Sequence, residues 1–334
     1  VKAIIPAAGI GTRLRPLTLN APKALLPVAG NTILGFILDD LSKLKVDEVV
    51  IVVGFMGEKI EEWVRSRYDL RVQFVRQEKQ LGLGHAVHVT REAGLEGPVL
   101  MILGDTIIRA RLEGAFEENV SFLGVKEVED PRRFGVVEVE EGKVSRLVEK
   151  PSQPASNLAL AGLYFFRRIE SLYEAQEECI REDRTTRGEY QVTDAIQLLV
   201  ERGEIFRPFF IEDWLDCGNP ETLLDANRAL LEGTSPPSPP QGVTIRPPVH
   251  LAPGSRVEDS TIGPYVSIGK RAVVAGSVVE NSIVDEEARV EGSRLRDSLI
   301  GKHAEVSGSG GRLVLADYCR VVRDGTAGPP RTSG

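Results

Sequence analysis

Two fixed cations behind a run of small residues are the first feature of this 334-residue chain that could do chemistry. The apolar run Val1–Ile5 feeds into Pro6-Ala7-Ala8-Gly9-Ile10-Gly11-Thr12-Arg13-Leu14, and Lys23 follows in Ala21-Pro22-Lys23-Ala24-Leu25-Leu26-Pro27. Small residues let backbone N–H groups come close to an anion without a Cβ in the way. Arg13 and Lys23 add positive charge at the mouth of that loop. The reading is a triphosphate cradle, with Ala8, Gly9, Gly11, Thr12 and Arg13 against the nucleotide. A dinucleotide-binding turn would want a third glycine where Leu14 stands, and no Gly-Lys-Ser/Thr closes a P-loop. Tight packing after a first strand is the plainer alternative, and the paired cations weigh against it.

Asp105 ends the buried run Val99–Leu103 in Leu103-Gly104-Asp105, where carboxylates of open α/β sheets meet ligands. Asp216 sits in Asp213-Trp214-Leu215-Asp216-Cys217-Gly218, read as a glycine-containing turn. Each alone is an ordinary turn aspartate. Together, beside a phosphate cradle, they can hold one Mg²⁺ through hard oxygens while phosphate and water complete its shell. His85 and His88 are one helical turn apart, but no third ligand accompanies them, so a helix-face or loop-facing role is expected.

Composition narrows the class. A net charge of −8 argues against a nucleic-acid or membrane-surface binder. Cys179, Cys217 and Cys319 are widely spaced and odd in number, which points away from disulfides and towards a reducing cytoplasm. No signal peptide and no bilayer-spanning run is read.

The elements that must position these groups alternate. Strands are predicted at 1–5, 49–53, 71–75 and 99–103, with helices at 32–44, 57–68 and 84–93, a mostly parallel sheet covered on both faces. Short strands follow at 121–125, 135–139, 144–148 and 159–166, read as an inserted, partly antiparallel lobe. Helices are predicted at 169–181, 192–201 and 220–231. A Pro/Ser-rich linker, 233–241, precedes a region of six-residue steps, as in Ile262-Gly-Pro-Tyr-Val-Ser and Ile268-Gly-Lys-Arg-Ala-Val. That step predicts a triangular parallel β-helix of roughly four coils over 242–325, with irregular corners near 281–287 and 308–311 and a tail at 326–334.

Five separated motifs then carry a resemblance. Pro6–Leu14 with Pro22–Pro27, Leu103-Gly104-Asp105, Val148-Glu149-Lys150-Pro151, Gly188-Glu189-Tyr190-Gln191-Val192-Thr193-Asp194 and Trp214–Gly218 resemble, in order, the sugar-1-phosphate nucleotidylyltransferases. More narrowly, residues 1–232 are similar to members making dTDP-glucose or UDP-glucose. The implied fold is a Rossmann-like mixed sheet nucleotidyltransferase domain followed by a left-handed parallel β-helix. The resemblance implies that Arg13 and Lys23 bind nucleotide phosphates and steady the departing pyrophosphate, and that Asp105 and Asp216 ligate Mg²⁺. It implies that Gln77, five residues before Gly82, reads the O4/N3–H edge of uracil or thymine. Gly135, Glu149 and Lys150 correspond to the sugar site, with Arg187 beside the sugar phosphate; Lys150 joins Arg13, Lys23 and Asp105 as a catalytic group.

The implied reaction joins a pyrimidine nucleoside triphosphate, dTTP or UTP, to a sugar 1-phosphate, with glucose 1-phosphate expected. N-acetylglucosamine 1-phosphate, mannose 1-phosphate and a silent scaffold with the same plan are the alternatives. His250 and His303 lack a catalytic context, so the repeat tail is read as an oligomerisation or regulatory module, whose removal should change subunit number more than the chemistry.

Overall fold

Val49-Val-Ile-Val-Val53 has no polar face to offer water, so it must be covered on both sides. The computed structural model bears this out, and it describes residues 1–112, 114–117, 120–235 and 237–323. The expected tail, 326–334, lies outside the described residues. Lys2–Pro6 lies between Glu48–Val53 and Val99–Ile102, parallel to both, and Val72–Arg76 continues the parallel set. All six residues of Glu48–Val53 are buried. Helices Ile33–Lys43 and Gly57–Arg65 contribute to one apolar core, and Ile169–Arg181 and Val192–Glu201 to another.

The later strands are not a separate lobe. Leu158–Phe166 pairs antiparallel with Val99–Ile102, so it and its neighbours extend the same nine-stranded sheet. Its composition explains this: Ala159 to Phe166 are all buried, as a central strand requires. The hairpin Gly135–Glu140 and Lys143–Glu149 joins beyond it, and Ser121–Glu127 pairs along its other part. The segment read as an aspartate turn is also different. Asp213–Asp216 is a strand, antiparallel to Thr106–Arg109. The predicted helix at 84–93 is α-helical only over Leu83–His88 and then tightens to a 3₁₀ turn, Val89–Ala93.

Packing divides the chain differently from its sequence. One compact unit comprises 1–10, 22–25 and 33–216; the other comprises 11–21, 26–32 and 217–334. Helix Pro220–Leu231, begun by a reciprocal Asn219–Thr222 capping box, belongs to the second. Its Asn227 is fully buried. The Asn227 Oδ1 accepts from Ala29 N at 2.9 Å and from Ser267 Oγ at 2.7 Å, while Nδ2 donates to Tyr265 O at 3.2 Å. Gly30 fits against His250, whose ring a Cβ would strike at 2.4 Å. Helix Pro220–Leu231 and the segment at Ala29 are thus tied to the repeat region through a buried amide that takes two of its partners from it.

The repeats themselves form three five-stranded parallel sheets, consistent with a left-handed β-helix. Val249 pairs with Val266 and Val266 with Ser282, steps of 17 and 16 residues, so coils are shorter than three full hexapeptides. The corners expected at 281–287 and 308–311 instead contain strands Ser282–Val284 and Gly310–Gly311. Serines stand at these breaks and in ladders between coils: Ser282 Oγ accepts from Ser298 N at 3.0 Å. Ser260 Oγ accepts from Ser277 N, Ser277 Oγ from Ser293 N and Ser293 Oγ from Ser309 N, at 3.0–3.2 Å. A hydroxyl thus answers the backbone where a branched side chain would have marked the period.

Among the described residues, no helix is long and apolar enough to cross a membrane. Ser277→Ala leaves the buried Ser293 N–H without its acceptor, so urea unfolding should show a loss of about 1–3 kcal/mol. Ser238→Ala in the linker should change stability by less than about 0.5 kcal/mol.

Candidate active site

The site begins where parallel strands end. Ala7 N donates to Val52 O at 2.8 Å, and Gly104 N donates to Pro6 O at 3.0 Å. The three strand ends draw together because two of them finish in glycine. A Cβ on Gly54 would stand 2.7 Å from Ala8 O, and one on Gly104 would stand 2.8 Å from Pro6 O. Beyond them opens a cavity of about 320 Å³, lined by Pro6–Gly9, Lys23, Ala24, Gln77, Gln80, Gly82, Leu83, Ala86, Leu103–Asp105 and Glu189.

Lys23, on the 3₁₀ turn Lys23–Leu25, is buried, and its Nζ meets Asp105 Oδ2 at 2.6 Å. A buried ammonium needs such a partner. The pair therefore brings a cation to the cavity wall in a fixed position. Register sets Asp216 opposite Thr106, the neighbour of Asp105. Asp216 is not among the residues that line the cavity. Among the described residues, no cluster of three or more His, Cys, Asp or Glu side chains is poised to hold a metal.

The cradle residues fall into two groups. Ala8 and Gly9 line the cavity. Gly11, Thr12 and Arg13 belong to the second unit, where Gly11 takes a left-handed φ of 69° into the turn Thr12–Leu14 and Arg13 is exposed.

Gln77 is 4 % exposed, so it is not a solvated loop residue. Its Nε2 donates to Gly82 O at 3.0 Å and lies 3.2 Å from His85 Nδ1. Gly82 holds φ +102°, ψ 176°, a conformation open essentially to glycine alone. A Cβ there would meet Tyr190 O at 2.5 Å. Tyr190 N donates to Leu81 O and Gly84 N to Tyr190 O, at 2.9 and 2.8 Å, which ties the Gly188–Gln191 segment to this loop.

The remaining candidates also converge. Gly135 and Glu149 are paired across the hairpin. Glu149 Oε2 accepts from Thr193 Oγ1 at 2.7 Å, and Lys150 Nζ meets Glu149 Oε1 at 3.0 Å. Arg187 Nη2 donates to Lys150 O at 3.3 Å. Burial, reinforced by the charges of Glu149 and Asp105, pushes the Tyr164 hydroxyl well above the usual tyrosine range. Trp214 donates from Nε1 to Thr106 Oγ1 at 2.8 Å and packs edge-on against Phe134 at 4.6 Å.

Reading residues singly missed Gln80, Glu189 and Thr193. Gln80 Nε2 donates to Ala8 O at 3.2 Å, joining the Gln77 side of the cavity to the first loop. Glu189 and Thr193 stand inside the motif at 188–194, where their types alone carry no chemical signal.

Residues 2–233 match the family described as nucleotidyl transferase. A glucose-1-phosphate thymidylyltransferase of Streptomyces griseus is 35 % identical over 313 residues, covering 85 % of this chain and 87 % of that protein. A low-salt glycan biosynthesis nucleotidyltransferase of Haloferax volcanii is 32 % identical over 325 residues, covering 87 % and 89 %. Among solved structures, a UDP-glucose pyrophosphorylase complexed with UDP-glucose superimposes with a TM-score of 0.60 at 25 % identity, over 68 % of this chain and 97 % of that one.

Gly82→Ala should cost stability of about 1–3 kcal/mol from backbone strain alone. Hydrogen exchange should show the Gly84 N–H losing protection, since the new methyl group displaces the Tyr190 carbonyl it bonds.

Proposed function

Because this chain belongs to the nucleotidyl transferase family, we propose that it transfers a pyrimidine nucleotidyl group from dTTP or UTP to a sugar 1-phosphate, with glucose 1-phosphate the preferred acceptor. The observation that carries the reading is the Lys23–Asp105 pair, held at the wall of a cavity whose other lining includes small residues, the amides of Gln77 and Gln80, and Glu189. Relatives named for thymidylyl transfer and for UDP-glucose support both nucleotides.

The sugar phosphate is already an anion near neutral pH, so no general base is needed. One of its oxygens forms a bond to the α-phosphorus while the bond from that phosphorus to the bridging oxygen breaks, and pyrophosphate leaves with the electron pair. The difficulty is bringing two anions together, and positioning and neutralisation answer it. Lys23 neutralises the nucleotide's phosphates, and Lys150 and Arg187 receive the sugar phosphate. Glu149, fixed by Thr193, accepts from sugar hydroxyls beside Gly135. Gln77 and Gly82 read the base.

Asp105 and Asp216 fit a divalent cation by donor chemistry: both are hard oxygen ligands, and strand pairing sets them one residue apart across the hydrogen-bonded ladder. Two carboxylates suffice where phosphate oxygens and water supply the rest. Asp105 and Asp216 would hold Mg²⁺, which when bound would screen charge on the phosphate oxygens. The protein is placed in the cytoplasm, self-associating through its β-helix.

Pyrophosphate release, measured with a panel of nucleotides and sugar phosphates, tests this reading. Lys23→Ala and Asp105→Asn should each lower turnover by about 10²–10³-fold, with circular dichroism unchanged. Unimpaired turnover in both would remove the assignment, and EDTA should abolish release until Mg²⁺ is restored.

A further inference from the structure

A glutamine that reads a base is useful only if its amide cannot turn over, because a flip exchanges donor for acceptor. The surroundings of Gln77 decide its orientation in two steps. Gly82 O can only accept, so the amide atom 3.0 Å away from it must be Nε2. The same Nε2 lies 3.2 Å from His85 Nδ1. It has only hydrogens to give, so Nδ1 must carry the lone pair and the imidazole proton must sit on Nε2 of the ring. Both amide hydrogens are thereby used inside the protein, and Oε1 alone is left for a ligand.

Gln77 and Gly82 both line the cavity. The Gly82 N–H donates to none of the described residues. One free donor and one free acceptor match the O4 and N3–H of uracil or thymine. Cytosine presents an amino group and a bare N3, which sets donor against donor and acceptor against acceptor.

We propose that His85 is a positioning residue for base choice: by accepting from Gln77, its Nδ1 holds the amide oxygen outward and so excludes cytosine. The inference rests on the nucleotide reading given above. Burial, followed by the positive charges of His88 and Lys79, holds His85 below the usual histidine range, so the ring keeps its lone pair near neutral pH. Gly82 O remains as a second acceptor, so losing His85 weakens the orientation without abolishing it.

The test compares UTP with CTP in the full-length enzyme, by equilibrium binding and by pyrophosphate release. His85→Phe keeps a ring but has no lone pair; His85→Asn places a carbonyl oxygen where Nδ1 stood. The expected result is a fall of about ten-fold in the UTP:CTP preference of His85→Phe, the size of one lost hydrogen bond, with most of it regained in His85→Asn. His85→Leu replaces the Phe variant if that does not fold. An unchanged preference, or equal weakening for both nucleotides in all variants, would overturn the inference while leaving the transferase reading standing. No pyrophosphate release from the wild type with any pyrimidine nucleotide would defeat the transferase reading. UTP and CTP binding would still decide the role of His85, and a wild type that binds them equally would refute it.

Discussion

Everything at the cavity depends on two side chains that are absent. Pro6, Val52 and Gly104 bring three strand ends to hydrogen-bonding distance, and the carbonyl oxygens of Pro6 and Ala8 occupy the space where Gly104 and Gly54 would carry a Cβ. Any larger residue at either position would push the first loop away from the sheet. Because these ends are locked, Asp105 leaves its strand in a defined direction. Lys23 can then be buried against it at 2.6 Å. Backbone proximity comes first, and the charge arrangement follows from it.

Charge is handled by pairing throughout this region. The Lys23 side chain is 10 % exposed and lies 2.6 Å from the Asp105 carboxylate. Glu149, 9 % exposed, is held between Lys150 Nζ and Thr193 Oγ1. The cations of this region are therefore already oriented by carboxylates, which lowers the cost of ordering them around any anionic ligand.

The second unit shows a different economy. Its coils keep an apolar interior, but serine hydroxyls satisfy neighbouring backbone N–H groups at the places where the aliphatic step lapses. Asn227 joins helix Pro220–Leu231 to Ala29 on one side and to Tyr265 and Ser267 on the other. Buried polar groups of this kind specify one arrangement of segments that lie far apart in sequence.

Sequence alone determined the periodic elements. The strand at Glu48–Val53, the helices at 169–181, 192–201 and 220–231, and the repeat region were legible, because burial on one or both faces imposes a period on the residue types. Lys23 and Asp105 stood out as well, since small residues and cations just after a buried strand are chemically unusual, and the fold brings these two side chains together. The tertiary structure decided what no period records. It made Asp213–Asp216 a strand, because Thr106–Arg109 offers it a partner from far along the chain. It placed Leu158–Phe166 inside the main sheet, and it joined 26–32 to the β-helix through one buried amide. Gln77 is the clearest case: its type permits either face of the amide to point outward. Only Gly82 O and His85 Nδ1, which the folded loop delivers to its nitrogen, choose the oxygen.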